Sequence, residues 1–222
     1  AALFSGFFAI VQAMNNRFEI AAIAIYVAMV LDGLDGRVAR LTHTQSEFGA
    51  QYDSLSDMVS FGAAPALVMY EWALKDLGKL GWIAAFVYCV GAALRLARFN
   101  TNIEVVDKRY FQGLPSPMAA ALLAGLVWVF DDLGIDRVLW LSIIAWLFTM
   151  YAGITMVTNV PFYSFKEFNL KKAVPFWVVA VFAASLAVVS LKPSLVLFLM
   201  VFAYGVSGYV LWGLGRRARP AN

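Results

Sequence analysis

Four aspartates, Asp32, Asp35, Asp53 and Asp57, stand within one short stretch of a chain that has only fourteen acidic residues. Asp32 and Asp35 are three apart and Asp53 and Asp57 are four apart, so in helices each pair occupies one face. Two such helices joined by a short turn bring four carboxylates together. Carboxylates crowded in this way do not all stay ionised unless cations neutralise them. An all-oxygen donor set without His or Cys favours hard divalent ions such as Mg²⁺, Mn²⁺ or Ca²⁺ over zinc. A pair of these ions serves in-line displacement at phosphorus. The chemistry indicated is therefore phosphoryl transfer.

The residues between the acids fit a phosphate-bearing ligand. Gly33, Gly36 and Gly49 remove side chains where a nucleotide or phosphate approaches backbone, Ala39 is small, and Arg40 offers a forked donor. Each also has a plainer explanation. Glycine and alanine let helices pack closely, and Arg37 or Arg40 anchors a helix at a membrane surface. His43, the sole histidine, falls in the turn between the two acidic pairs and reads as a solvated turn residue. Cys89, the sole cysteine, lies in an apolar run, so disulfides and thiolate metal sites do not organise the chain.

These acids must be positioned by membrane helices. Of 222 residues 62% are hydrophobic and 14% charged, well under the quarter charged that is usual for soluble domains. Eight apolar runs are expected to span, at about 1–14, 19–36, 47–74, 79–97, 114–130, 137–157, 173–190 and 194–214, most of them close to the roughly 20 residues a crossing needs. Short polar turns separate them, so the expectation is an all-α, polytopic membrane protein forming one domain over 1–222. Continuous apolarity argues against a barrel. Pro115, Pro117, Pro161 and Pro175 sit near span boundaries as helix starters. The first run is short for a span and lacks the basic lead of a signal peptide, which fits a helix that begins upstream or lies partly in the interface.

With alternating spans, one side collects twelve of the seventeen basic residues, including Arg37, Arg40, Arg95, Arg98, Lys108, Arg109, Lys166, Lys171 and Lys172. The positive-inside rule makes that side cytoplasmic, and the acids at the end of the second span and the start of the third share it. A net charge of +3 with no basic patch outside the membrane argues against nucleic acid as a partner. A cation transporter is the alternative from another class. Against it, the acids gather near one face, and no inverted repeat is visible.

The pattern of Asp32, Asp35, Gly36, Ala39, Arg40, Gly49, Asp53 and Asp57, at these spacings, resembles the signature of the CDP-alcohol phosphatidyltransferases at every fixed position. The resemblance implies two divalent ions, Mn²⁺ or Mg²⁺, held by Asp32, Asp35, Asp53 and Asp57, with Asp57 also the catalytic base. It implies a CDP pocket lined by Gly36, Ala39, Arg40 and Gly49, and a homodimer in the cytoplasmic (inner) membrane of the cell, among membrane lipids. CDP-diacylglycerol is then the donor and CMP the leaving product.

Three further segments, Tyr52 to Pro65, Leu94 to Asn100 and Phe111 to Pro117, resemble bacterial-type phosphatidylserine synthases, which implies L-serine as acceptor and phosphatidylserine as product. Serine brings a carboxylate, so its site needs a cation near the metals. Arg95 and Arg98 can supply it, and Asn100 can add a polar contact. The alternative for the arginine pair is anchoring the helix or binding lipid headgroups. A sister enzyme acting on glycerol 3-phosphate or an inositol phosphate would use a denser basic pocket, to which Lys108 and Arg109 could contribute.

Overall fold

The computed structural model of the protein describes residues 1–42, 46–101, 110–135, 138–163 and 189–214, without the side chains of Ala39, Arg40 and Tyr110. His43, Lys108, Arg109, Arg137, Lys166, Lys171, Lys172, Pro175, the last arginines and nearly all of the span expected at 173–190 lie outside the described residues.

Helices α1 (Ala2–Met14) and α2 (Phe18–Leu41) form a hairpin whose turn carries Asn16 at φ 59, a conformation asparagine tolerates better than most residues. The seam is made of small side chains. Ala9, Ala13, Ala21, Ala22 and Ala28 are essentially inaccessible, and Ser5 Oγ donates to the Ala24 carbonyl at 2.7 Å. Small residues allow this close approach, which is how helices associate where hydrophobic exclusion from water is weak.

From Glu47 to Leu77 the chain stays helical but not uniformly α. α3 (Glu47–Asp57) passes into a π-helical segment, Met58–Ala63, then α4 (Ala64–Met69), a second π segment, Tyr70–Leu74, and a 3₁₀ turn, Lys75–Leu77. Gly78, at φ 56, ends it. α5 (Lys79–Thr101) and α7 (Leu139–Val157) cross where a side chain on Gly91 would strike the Gly153 carbonyl. α6 (Ser116–Asp132) is the hub. Every residue from Ala119 to Val127 is buried, so it is apolar all round, as a central helix must be. α8 (Pro193–Gly213) packs on it with a largely accessible outer surface.

Three of these helices, α5, α7 and α8, are long and apolar enough to cross a membrane. Outward-facing Phe7, Ile20, Trp82, Phe86, Leu147, Leu199 and Met200 give the bundle an apolar exterior, the surface of a protein solvated by lipid. The expected all-α architecture gains one element. β1 (Tyr110–Gln112) pairs antiparallel with β2 (Pro161–Tyr163), Phe111 opposite Phe162. Pro161 therefore opens a strand and not a helix. Pro115 and Pro117 do stand at a helix start, that of α6.

Candidate active site

Helix direction brings the polar residues to one end of the bundle. α2 ends there and α3 begins there, the two separated by a short connection. Ser46 caps α3, its Oγ accepting from the Gly49 amide at 3.0 Å, and so starts the helix that carries Asp53 and Asp57 in its second and third turns. The start of α1 lies beside the end of α2, with the Ala1 nitrogen 3.4 Å from Asp35 Oδ2. α5 and α7 end at the same place, and α6 begins there.

The four aspartates form one electrostatic cluster. Asp32 and Asp57 interact across the two helices; Asp53 acts on both, and Asp35 acts on Asp32 and Asp53. Asp35 and Asp53 are exposed, while Asp32 and Asp57 are half-buried. Carboxylates this close stay together where a proton or a cation neutralises part of their charge. Asp57 Oδ1 is buried with no partner at all. A buried, unpaired carboxylate oxygen is costly, and a hard cation is a ligand that satisfies it. Among the described residues no three acidic, His or Cys side chains converge tightly enough to enclose one ion as they stand. The donor chemistry fits a divalent metal.

Opposite the acids stands Arg95. Its Nη1 donates to Ser116 Oγ at 2.8 Å, Ser116 being wholly buried at the start of α6. Its Nε is buried without a partner. Arg95 and Asp57 interact electrostatically but form no ion pair, and Tyr204 of α8 is also close to the guanidinium. Arg98, one turn later, is engaged elsewhere. It donates to the Val157 carbonyl at 2.8 Å, the Asn159 side chain at 3.2 Å and the Thr158 carbonyl at 3.5 Å, closing the C-terminus of α7 where unsatisfied carbonyls and the helix dipole favour a cation. Asn100 donates to Ser54 Oγ at 3.0 Å, between Asp53 and Asp57.

Of the residues expected to line a nucleotide pocket, Gly36 lies in the turn after Asp32, and Gly49 lies in the first turn of α3. The backbone of Ala39 and Arg40 completes α2. At Gly33 a side chain would meet nothing within 4 Å, so no packing contact accounts for that glycine.

A family model for CDP-alcohol phosphatidyltransferases matches residues 1–157, from α1 through the last residue of α7. The chain belongs to the CDP-alcohol phosphatidyltransferase family. The Helicobacter pylori (strain ATCC 700392 / 26695) protein named CDP-diacylglycerol--serine O-phosphatidyltransferase is 35% identical over 219 residues, covering 96% of this chain and 87% of that one. The Methanocaldococcus jannaschii protein of the same name is 35% identical over 191 residues, 84% of this chain and 82% of its own. A third, from Mycobacterium bovis, is 32% identical over 208 residues, 90% and 71%.

Family membership makes this chain a phosphatidyltransferase, and the matched region contains the four aspartates, Arg95 and Ser116. Tyr204 lies beyond it. Sequence reasoning missed Ser116 and Ser54 as partners of Arg95 and Asn100. Both lie inside the segments that resemble phosphatidylserine synthases, so the signal was present without its pairing. Nothing in the pattern pointed to Tyr204, whose hydroxyl donates to the Tyr163 carbonyl at 3.1 Å and which acts on Arg95 electrostatically from α8.

Proposed function

We propose that the protein transfers the phosphatidyl group of CDP-diacylglycerol to the hydroxyl of L-serine, forming phosphatidylserine and CMP. The observation that carries this reading is the pair of unpartnered buried atoms at one end of the bundle, Asp57 Oδ1 and Arg95 Nε, on groups that attract each other without touching. A small acceptor with a hydroxyl at one end and a carboxylate at the other would answer both groups. Relatives named as serine transferases, matching over most of the chain, favour the same acceptor.

In this reading Asp32, Asp35, Asp53 and Asp57 hold two divalent ions, Mn²⁺ or Mg²⁺. When bound, the ions supply neutralisation of the charge that gathers on the diphosphate. Asp57 accepts the serine hydroxyl proton as that oxygen forms its bond to the lipid-side phosphorus. The bond from phosphorus to the CMP oxygen breaks, and CMP leaves with the electron pair. Arg95 offers its free donor to the serine carboxylate, with Ser116 holding the guanidinium in place. Gly36, Ala39, Arg40 and Gly49 border the cytidine diphosphate. Arg98 and Asn100 support the acceptor side through α7 and Ser54. The reading includes a single domain over 1–222 crossing the cytoplasmic membrane eight times, the acid end facing the cytoplasm, and a homodimer. The bias of twelve in seventeen basic residues to that side supports the orientation.

The test is CMP release by purified protein given CDP-diacylglycerol with L-serine, glycerol 3-phosphate, inositol phosphate or no acceptor, in Mn²⁺, Mg²⁺ or EDTA. Release that needs both serine and metal supports the proposal. Release driven by a phosphorylated acceptor keeps the chemistry and overturns the choice of serine. No release from folded protein with any acceptor overturns both.

A further inference from the structure

The π-helical segment Met58–Ala63 begins at the residue immediately after Asp57. A π turn carries an extra residue per turn, so it rotates everything before it relative to everything after it, and such segments cluster at functional sites. Here the part before is α3 with Asp53 and Asp57, and the part after is α4, embedded in the core. The phase of the acids toward α2 is therefore set by whether this segment stays π-helical.

An α-helix would offer the Phe61 carbonyl an amide from residue 65. Residue 65 is proline and has none. The Tyr88 hydroxyl of α5 donates to the Phe61 carbonyl at 2.9 Å. Tyr88 is wholly buried, and its place is closely determined. A side chain on Gly153 of α7 would come 2.8 Å from the Tyr88 Cα, and one on Gly62 would come 3.2 Å from Ala92, one turn further along α5. On the opposite side Ser60 Oγ donates to the Ala2 carbonyl at 3.1 Å, and a side chain on Gly6 would come 2.6 Å from the Ser60 Cα. The π segment is thus clamped between α1 and α5. Tyr88 also lies seven residues before Arg95, two turns along the same helix, so one joint relates the helix carrying Arg95 to the helix carrying Asp57.

We infer that Tyr88 is a positioning residue for the transfer reaction: by occupying the Phe61 carbonyl that Pro65 leaves without an amide, it holds the π turn in register and so aims Asp57 at the acceptor side of Arg95. The inference rests on the phosphatidyltransferase reading of Asp57 and adds a residue that touches neither substrate nor metal.

The test uses the full chain in detergent, with CMP release and thermal unfolding measured on the same preparations. Wild-type activity is established first; its absence would sink the reading of Asp57 and leave Tyr88 with nothing to position. Tyr88→Phe keeps the ring and removes the hydroxyl. Its kcat should fall roughly tenfold to a hundredfold, the range expected when a reacting group is displaced by about an ångström, while KM for CDP-diacylglycerol changes little. Pro65→Ala is the second variant, restoring the amide that competes for the Phe61 carbonyl and favours an α turn. It should lower kcat while leaving the unfolding temperature unchanged or higher. In Tyr88→Phe/Pro65→Ala the unfolding temperature should return toward wild type while kcat does not. Recovery of kcat in the double variant, or full kcat in Pro65→Ala alone, would mean that the hydroxyl merely satisfies a carbonyl, and overturns the inference. If Tyr88→Phe does not fold, Pro65→Ala alone decides.

Discussion

The acidic and basic halves of the site are built in opposite ways. On the basic side the protein supplies most of the partners, leaving over the buried Nε of Arg95. Arg95 is held by Ser116, and Arg98 by Val157, Thr158 and Asn159, each contact reaching a different helix or its end. On the acidic side it does not. Asp35 and Asp53 are exposed, Asp32 and Asp57 lean on each other, and Asp57 keeps a buried oxygen with no partner. The contrast separates groups that are fixed by the fold from groups that wait for a ligand. A preformed cation can orient a substrate carboxylate at low cost in reorganisation, whereas like charges can be kept together only by what binds them.

Breaking the acidic side should have the largest effect on turnover and little on the fold. Asp57→Asn is expected to lower CMP release by about a thousandfold, within the range for loss of a general base, with an unfolding temperature equal to or above wild type because one repelling charge is gone. An unfolding temperature far below wild type would show that Asp57 holds the fold together instead. Next, metal should stabilise the acidic half selectively. At about a hundred times its dissociation constant, Mn²⁺ is expected to add about 2.7 kcal/mol of stability to the wild type and much less to Asp32→Asn, read as the shift in unfolding temperature with and without EDTA.

The basic side sharpens the comparison through two arginines one turn apart. Arg98→Ala should cost about 2 kcal/mol of stability, since it strips charge-assisted hydrogen bonds from the end of α7, and leave KM for serine nearly unchanged. Arg95→Lys should do the reverse, raising KM for serine roughly tenfold as the fork is lost while unfolding changes little. Equal effects of the two on KM would return Arg98 to the acceptor site. The smallest effect belongs to the turn between the acids: Ser46→Ala removes the cap of α3 and should cost about 1 kcal/mol, visible as faster amide exchange at Gly49.

Much of the site was legible because its chemistry is local. Asp32 and Asp35, and Asp53 and Asp57, declare their shared faces by spacing alone, and the short stretch between them forces the two helices to be neighbours. The fold was legible where apolar runs are long, as in α5, α7 and α8. It was less so just after α3, at Met58–Ala63, where a continuous apolar run does not distinguish an α from a π turn. The β1–β2 pair escaped notice for a related reason: three-residue strands between spans have no periodicity to read. Arg95 and Arg98 looked alike in sequence, since nothing local says that one meets Ser116 and the other meets the end of a helix sixty residues away.

The sequence by itself determined the family, the acid cluster and the membrane-embedded character of this protein, because residue type, spacing and hydropathy are properties of a single segment. Tertiary structure alone decided that Arg95 is the arginine acting on Asp57, that Tyr204 acts on Arg95 from beyond the matched region, and that the Tyr88 hydroxyl donates to the Phe61 carbonyl. Those depend on the rotation of one helix against another, and that rotation is set by small-residue contacts such as Gly62 with Ala92 and Gly153 with Tyr88, which exist only once distant segments have packed.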